Sequence, residues 1–448
     1  MNIIIAGAGK VGYHLAKTLS ILHDITIIDK NSKAILKIKE NLDVLAIHGN
    51  VENPNIFFNL EKKIDFFIAV TNSDEVNIIS SLIIDDIITV DKKIIRLKNI
   101  FFSESSILKK LNIYDTVFPS SYTANTIKYL LEFPKANNVK LFDHTNMLLL
   151  SVKVKNSDFV GYNMREIMKK FNDEVKVVGV ERDKSFSIPT YTDLIKYGDL
   201  IYLFGDKEVI KNGYCDFENR CNLSKKIKNC IIFGADNLGI EIAKVLIKNR
   251  LNVKIIEKDL GKCQEAIDIL QDSVIVLNSK YGWGHLLKEE GLDNADMLIA
   301  TTTNDEYNII KSIEGKKAGI DKVIAINNDR EYYSLMHSLD LVVVRGEKIN
   351  SYYSILESIN SNSVIRQKRY CGDKGVLFSK KIISNSNLID KKLYIPDKIK
   401  KVSLIYIIRD NKILQELDEI VYKELDIMFI FSRIENVEVI NRWIHQEI

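Results

Sequence analysis

The sequence predicts an α/β protein made of two tandem units, each a doubly wound parallel sheet followed by a small α+β module. The first observation is a pair of matching stretches. "MNIIIAGAGKVGYHLAKTLSILHDITIIDKN" opens the chain, and "NCIIFGADNLGIEIAKVLIKNRLNVKIIEKD" follows its plan past the midpoint. Each joins a short apolar run, a glycine-spaced turn, an amphipathic helix, a second apolar run and a closing acid. The second observation is a constant spacing. Gly7 and Gly234 lie 227 residues apart, Asp29 and Glu257 228, Ser73 and Asn304 231, and Tyr197 and Tyr422 225. A repeat of that length is a folding unit in itself, far longer than a solenoid module.

The third observation is texture. In residues 1–134 the runs "NIIIAG", "ITIID", "VLAIHG", "FFIAVT" and "KIIRLKN" alternate with helical patterns, which reads as a Rossmann-like sheet. Residues 138–216 hold strand-like "LLLSVKV", "VKVVGVER" and "DLIYLFG" with a short helix at "MREIMKKF", the small α+β module. The polar, weakly periodic "NGYCDFENRCNLSKKIKN" links the copies, and residues 227–360 and 363–448 repeat the plan. At 448 residues the chain is too long for one core.

Composition narrows the function classes. Hydrophobic content of 46% and charged content of 27% are those of an ordinary globular protein. The net charge of +3, from 63 basic and 60 acidic residues, argues against a nucleic-acid partner. The "KK" pairs read as solvated faces. Ile3, Ile4 and Ile5 already belong to the first strand, so no secretory leader is expected. Charges interrupt every apolar stretch before the roughly 18 residues of a membrane span, and "SSLIIDDIITV" is broken by Asp85 and Asp86. Membrane association would need a partner. Cys215, Cys221, Cys230, Cys263 and Cys371 form no C-x-x-C pair, and their odd number argues against a disulfide framework. The cell interior is the expected compartment.

The first turn, "GAGKVG", carries the nucleotide signal. Gly7 permits a tight turn, Gly9 lets backbone approach a pyrophosphate, and Gly12 lets the helix pack on the sheet. Ala8, Lys10 and Val11 complete the cradle at the amino end of a helix, whose free amides point at the anion. Asp29, 22 residues after Gly7, can accept both hydroxyls of an adenosine ribose, with Lys30 beside it. A carboxylate there repels a 2′-phosphate, favouring NAD(H) or an adenosine nucleotide over NADP. The other reading is a fold that binds no phosphate, with a capping aspartate. Gly49 and Asn50 end the third strand, and Thr71, Asn72 and Ser73 leave the fourth on the ligand edge. Asp74 and Glu75 either join that site or simply start a helix at its positive end. Arg96 either reaches phosphate from the same edge or is an exposed surface arginine.

The second turn, "GADNLG", keeps Gly234 and Gly239, with Asn237 and Leu238 between them, but has Asp236 where the middle glycine should stand. A like charge 4–5 Å from a phosphate costs on the order of 3–4 kcal/mol at an effective dielectric near 20. Glu257 still offers a ribose-binding carboxylate, so this copy is expected to bind nucleotide weakly, differently or not at all.

Catalytic machinery is not evident. His14, His23, His48, His144, His285, His337 and His445 form no dyad or metal-ligand spacing, and no G-x-S-x-G, H-E-x-x-H or P-loop occurs. A nucleotide fold without a catalytic insert suggests that nucleotide is read as a signal. The competing readings are a pyridine-nucleotide oxidoreductase with an unrecognised pocket and a nucleotide-sensing scaffold.

The order of modules resembles tandem RCK (KTN) domains of the TrkA family, the cytoplasmic NAD-binding subunits of Trk potassium uptake systems. The resemblance spans nearly the whole chain. It rests on Gly7, Gly9, Gly12, Asp29, Thr71 to Glu75 with Asn77, and Arg96, on Pro119 opening the helix after the sixth strand, and on Gly161, Gly198 and Asp199 in the small module. In the second half Asp390 and Leu425 replace the two glycines, Asp426 follows, and Gly346 takes the place of the proline. The resemblance implies a regulatory, non-enzymatic role with NAD(H) or ATP/ADP as ligand. It also implies a membrane-embedded TrkH- or TrkG-type potassium-translocating partner, a ring of subunits, and a position on the inner face of the plasma membrane through that partner. Ile127, Leu130 and Leu131 would then pack either in an ordinary core or against a second subunit.

Overall fold

The computed structural model describes all residues except 105, 143–144, 218–226, 280–293, 340, 360–364, 385, 415–418 and 447–448. Cys221, His144 and His285 therefore lie outside the described residues. The first unit begins with six parallel strands, β1 (Asn2–Ala6), β2 (Asp24–Asp29), β3 (Leu45–His48), β4 (Lys63–Ala69), β5 (Thr89–Arg96) and β6 (Asp115–Val117). Their order, β3-β2-β1-β4-β5-β6, reverses between β1 and β4, which places a crevice at the carboxyl ends of those strands. The helices are α1 (Lys10–Leu19), α2 (Ser32–Asn41), α3 (Asp74–Ile87) and α4 (Pro119–Glu132). In α1 the spacing of Val11, Leu15 and Leu19, with Ala16, buries one stripe against the sheet.

An antiparallel sheet follows, with β7 (Asn138–Leu141), β8 (Met147–Lys153), β9 (Val175–Arg182), β10 (Ser185–Ser187) and β11 (Leu200–Asp206) in the order β10-β9-β11-β8-β7. Helix α5 (Met164–Lys170) is opened by a reciprocal cap: Glu166 N–H donates to Asn163 Oδ1 at 2.9 Å, and Asn163 N–H to Glu166 Oε2 at 2.8 Å. Helix α6 (Lys207–Gly213) follows β11. The edge strands β7 and β10 are too short to show a period of their own, and the sequence reading omits both.

The second unit repeats both plans. Its parallel strands β12 (Asn229–Phe233), β13 (Asn252–Glu257), β14 (Ile275–Asn278), β15 (Met297–Ala300), β16 (Lys322–Asn327) and β17 (Val342–Arg345) run in the same relative order, β14-β13-β12-β15-β16-β17. Their helices are α7 (Asn237–Lys248), α8 (Leu260–Leu270), α9 (Asp305–Lys317) and α10 (Glu347–Ile359). The last sheet, β18 (Ile365–Tyr370), β19 (Gly375–Lys381), β20 (Ser403–Arg409), β21 (Lys412–Ile413) and β22 (Ile427–Arg433), is followed by α11 (Val437–Gln446). Helix α10 begins at Glu347, so Gly346 precedes the first helical residue and Glu347 holds the place of Pro119, a shift of one residue from the sequence reading. Cys230, Cys263 and Cys371 are free thiols, whereas Cys215 is disulfide-bonded, which the cysteine count did not anticipate.

The copies exchange helices. Ile127 and Leu130 of α4 are buried in one cluster with Ile232, Ile299 and Ile326 of the second parallel sheet and with Ile242 and Leu246 of α7. Reciprocally, Ile355, Leu356 and Ile359 of α10 are buried with Ile5, Ile68 and Ile94 of the first sheet and with Leu15 of α1. The helix after the sixth strand thus covers the partner copy's sheet. Of the two placements expected for Ile127, Leu130 and Leu131, the structure shows the core placement for Ile127 and Leu130, in a core shared with the other copy of the same chain, with Leu131 partly buried beside it. The small modules meet face to face through aromatic rings, with Phe204 lying 4.9 Å from Phe431 and 5.0 Å from Phe429 between centroids.

Two left-handed positions of the first small module persist in the second after the glycine is lost. Gly161 (φ +91) is answered by Asp390 (φ +63), and Gly198 (φ +85) by Leu425 (φ +69). A leucine there is strained. Leu425 is 65% exposed, so its side chain contributes little burial in return. Leu425→Gly is expected to raise stability in urea denaturation by about 1 kcal/mol, the strain removed less the added unfolded-state freedom. Ile127→Ala is expected to cost about 2–5 kcal/mol, and amide exchange should quicken in β12, β15 and β16, because Ile127 supports the second sheet. Faster exchange confined to the first sheet would contradict the exchange of helices.

Candidate functional site

The first turn has three glycines with three different physical reasons. Gly7 has φ +110, and its missing Cβ would lie 3.1 Å from the Thr71 amide nitrogen. A Cβ on Gly12 would lie 1.9 Å from the Gly7 carbonyl oxygen, so α1 can approach the strand only without one. Gly9 is different. Its φ of −67 and ψ of −173 suit any residue, and a Cβ there would meet nothing within 4 Å. What the glycine provides at that point is bare backbone facing open space at the amino end of α1, a cradle a side chain would fill. The residues present fit a pyrophosphate.

Asp29 clamps this turn. Its Oδ2 accepts the Ala8 N–H at 2.6 Å and its Oδ1 the Asn31 N–H at 2.7 Å, tying the glycine turn to the start of α2. A carboxylate has about four lone-pair directions, so ribose hydroxyls can still be accepted. The backbone clamp is a task the sequence reading assigned only to its phosphate-free alternative. Around it, the Lys30 carbonyl contacts His48 Nε2 at 3.0 Å, the Gly49 N–H donates to the Asp29 carbonyl at 3.0 Å, and Asn50 Oδ1 accepts from Glu52 N–H at 3.1 Å.

The loop after β4 is organised by a buried asparagine. Asn77 Oδ1 accepts from Thr71 N–H at 2.9 Å and Thr71 Oγ1 at 2.7 Å, while its amide donates to the Arg96 carbonyl at 2.7 Å. Arg96 is 6% exposed, which overturns the surface-arginine reading. Its Nη2 donates to the Thr71 carbonyl at 3.0 Å and to Asn72 Oδ1 at 2.9 Å, and its Nε is buried with no partner among the described residues. Burial pulls the guanidinium below its ordinary pKa, against the charges of Glu347 and Asp74. Ser73 caps α3 by accepting from Val76 N–H at 3.2 Å, and donates to Glu75 Oε2 at 2.5 Å, which holds that carboxyl below its usual range. Asp74 accepts from the Lys98 and Asn99 amides, each at 2.9 Å, and so fixes the loop after β5.

Each turn is bordered by the other copy. Lys10 Nζ pairs with Asp329 Oδ2 at 3.1 Å, Thr18 Oγ1 lies 2.8 Å from the Tyr352 hydroxyl, and Asn237 Nδ2 donates to Ser120 Oγ at 3.1 Å. Ser120 also donates to Glu347. Asp329, Tyr352 and Glu347 escaped the sequence reading because no local pattern connects residues more than 200 positions apart.

In the second copy Gly234 again has φ +110, and a Cβ on Gly239 would lie 2.1 Å from the Gly234 carbonyl oxygen. Leu238 is buried at the start of α7. Glu257 is buried and accepts from the Ala235 (3.0 Å), Lys258 (2.8 Å) and Asp259 (2.9 Å) amides. Asp236 is not an isolated charge: it forms an ion pair with Lys262 of α8, and the hydrogen bond raises the Lys262 pKa. The electrostatic expectation is corrected accordingly. At the place of Gly9, Asp236 carries a side chain whose charge Lys262 already balances, so it is not the isolated like charge of the sequence reading. In both small modules the aspartate after the left-handed residue is gripped by an arginine that the sequence reading missed. Arg182 Nε and Nη2 meet Asp199 at 2.7 and 2.6 Å, and Arg409 meets Asp426 at 2.8 and 2.7 Å.

The sheet order and the two glycine turns define a tandem dinucleotide-type α/β protein. The family model for the TrkA-N domain matches residues 3–119 and 230–345. The Trk system potassium uptake protein trkA homolog 1 of Methanosarcina mazei is 30% identical over 355 residues, 77% of this chain and 86% of that protein. The TrkA homolog of Archaeoglobus fulgidus is 27% identical over 447 residues, 98% of this chain and 99% of that one. The crystal structure of the GsuK RCK domain superposes with a TM-score of 0.62 at 16% identity, covering 98% and 94% of the two chains. The GsuK channel bound to NAD superposes with 0.63 at 16% identity, covering 98% and 78%. The chain belongs to the TrkA family.

Because Asp29 holds two backbone amides, Asp29→Asn is expected to destabilise the first unit by about 1–3 kcal/mol without any nucleotide. Chemical denaturation of the ligand-free variant checks this, and an unchanged midpoint would leave Asp29 without the clamping task.

Proposed function

We propose that the chain is the nucleotide-binding regulatory subunit of a potassium uptake system and not an enzyme. It binds NAD(H) or ATP/ADP and gates a membrane-embedded translocating subunit of the TrkH or TrkG type. Its four modules are 1–134, 138–216, 227–360 and 363–448. The observation that carries the ligand is Gly9: bare backbone at a helix amino end, opening on empty space, with Asp29 beside it. Gly7, Ala8, Gly9, Lys10, Val11 and Gly12 would hold the pyrophosphate, and Asp29 with Lys30 the adenosine ribose. Gly49, Asn50, Thr71, Asn72, Ser73, Glu75 and Arg96 would line the crevice. Gly234, Asn237, Leu238, Gly239 and Glu257 form the corresponding place in the second copy, where Asp236 stands instead of Gly9.

The names of the relatives as potassium uptake proteins support the transport role. The GsuK channel, similar in fold, binds NAD, which supports the choice of ligand. No helix of the described residues is long and apolar enough to cross a membrane, so the pore would come from a partner. The protein would act from the cytoplasmic face, assembled as a ring. Nucleotide bound more tightly to one arrangement of the ring than another shifts their balance by the difference, typically 1–3 kcal/mol. Lys10 ties the first turn to Asp329 of the second copy, so a phosphate that engages Lys10 competes with that contact.

Calorimetric titration with NADH and ADP tests the reading. Gly9→Asp should abolish binding and Asp29→Ala should weaken it about tenfold or more, whereas Glu257→Ala should have little effect. The opposite order for Asp29 and Glu257 would move the working site to the second copy.

A further inference from the structure

A cavity of about 690 Å³ lies where the first small module, the second parallel sheet and the hairpin turn after β18 meet. It is lined by none of the residues of the Gly9 turn, and it falls within the size range of small-molecule sites. Lys140 of β7 projects from one wall, Arg345 at the end of β17 from another, and the exposed turn Asp183–Lys184 stands at the rim.

Two basic side chains meet at one spot. Lys140 Nζ donates to the Arg369 carbonyl at 2.6 Å, and Arg345 Nη2 reaches the same carbonyl at 3.4 Å. Two basic groups therefore share one neutral acceptor. Among the described residues neither is within ion-pair distance of a carboxylate, although the charges of Glu357 and Asp373 act on Lys140 from further off. The Arg345 guanidinium also lies over the Tyr353 ring, 4.1 Å from its centroid. Lys374, which also lines the cavity, is by contrast paired with Glu181 at 2.6 Å. Burial first, and then the Arg345 charge, pull the Lys140 ammonium down to about 7. Tyr202, Tyr333 and Tyr370 also line the cavity. Burial raises their phenols, which stay neutral and do not repel an anion.

We propose that this cavity is a second ligand site, distinct from the glycine turn, for a small phosphate monoester carried on a flat ring. Its phosphate oxygens sit between Lys140 and the Arg345 fork, and its ring lies against Tyr202 and Tyr333. A guanidinium paired with an ammonium is suited to a phosphate dianion, and the tyrosines offer the ring a face. A ligand held by these four residues touches the first small module and the second parallel-sheet module at once, so its occupancy couples the first copy to the second without passing through the nucleotide turn.

Calorimetric titration of the full chain with phenyl phosphate, and separately with inorganic phosphate, tests the assignment. One saturable site is expected for phenyl phosphate, tighter than for inorganic phosphate. Binding should weaken about tenfold or more in Arg345→Met and in Lys140→Met, each of which removes a charged donor. It should persist in Gly9→Asp, so the result stands apart from the fate of the NADH site. Lys140 is on an edge strand, so Lys140→Met tests the site even if Arg345→Met melts early. No saturable binding, binding unchanged in both variants, loss only in Gly9→Asp, or equal affinity for inorganic phosphate would each overturn the proposal.

Discussion

The structure depends on the burial of two apolar helix faces, α4 and α10, each on the sheet of the other copy. A doubly wound parallel sheet must be covered on both faces, because its strands read as continuous apolar runs. Ile127 and Leu130 supply that cover to β12, β15 and β16, and Ile355 and Ile359 supply it to the first sheet. Neither copy has a complete core without its neighbour. The consequence reaches the ligand edge, where each glycine turn is framed by groups from the other copy: Asp329 at Lys10, and Ser120 at Asn237.

Within that frame, most polar groups of the first crevice are committed to holding backbone. Asp29, Asp74 and Asn77 fix the glycine turn, the loop after β5 and the loop after β4 respectively. Organisation of this kind costs conformational freedom during folding and leaves less to be lost when a ligand arrives. Arg96 also holds backbone, through its Nη2 bond to the Thr71 carbonyl, while its buried Nε is left without a partner among the described residues.

The copies have diverged by substitution at fixed geometry. Asp390 and Leu425 keep the left-handed backbone of the glycines they replace, and both Asp–Arg forks survive. Asp236 fills the place of Gly9, and Lys262 balances it. The backbone has been held more strictly than the ligand chemistry. A second copy that only scaffolds the first is compatible with that pattern.

The periodicity of the sequence determined by itself the tandem plan, the strand runs, the glycine turns and the closing acids, because these are encoded within about 30 residues of one another and local sterics decide them. Even the loss of the two small-module glycines was legible from the repeat. The tertiary structure alone decided the exchange of helices, the burial of Arg96, the partnering of Asp236 by Lys262, and the union of Lys140 with Arg345 beside one cavity. Each of these joins segments whose separation along the chain carries no period. The exchanged helices, and Lys140 with Arg345, meet only because hydrophobic burial, which is non-directional, brings two whole units together, whereas Arg96 and the Asp236–Lys262 pair are set by packing within one unit.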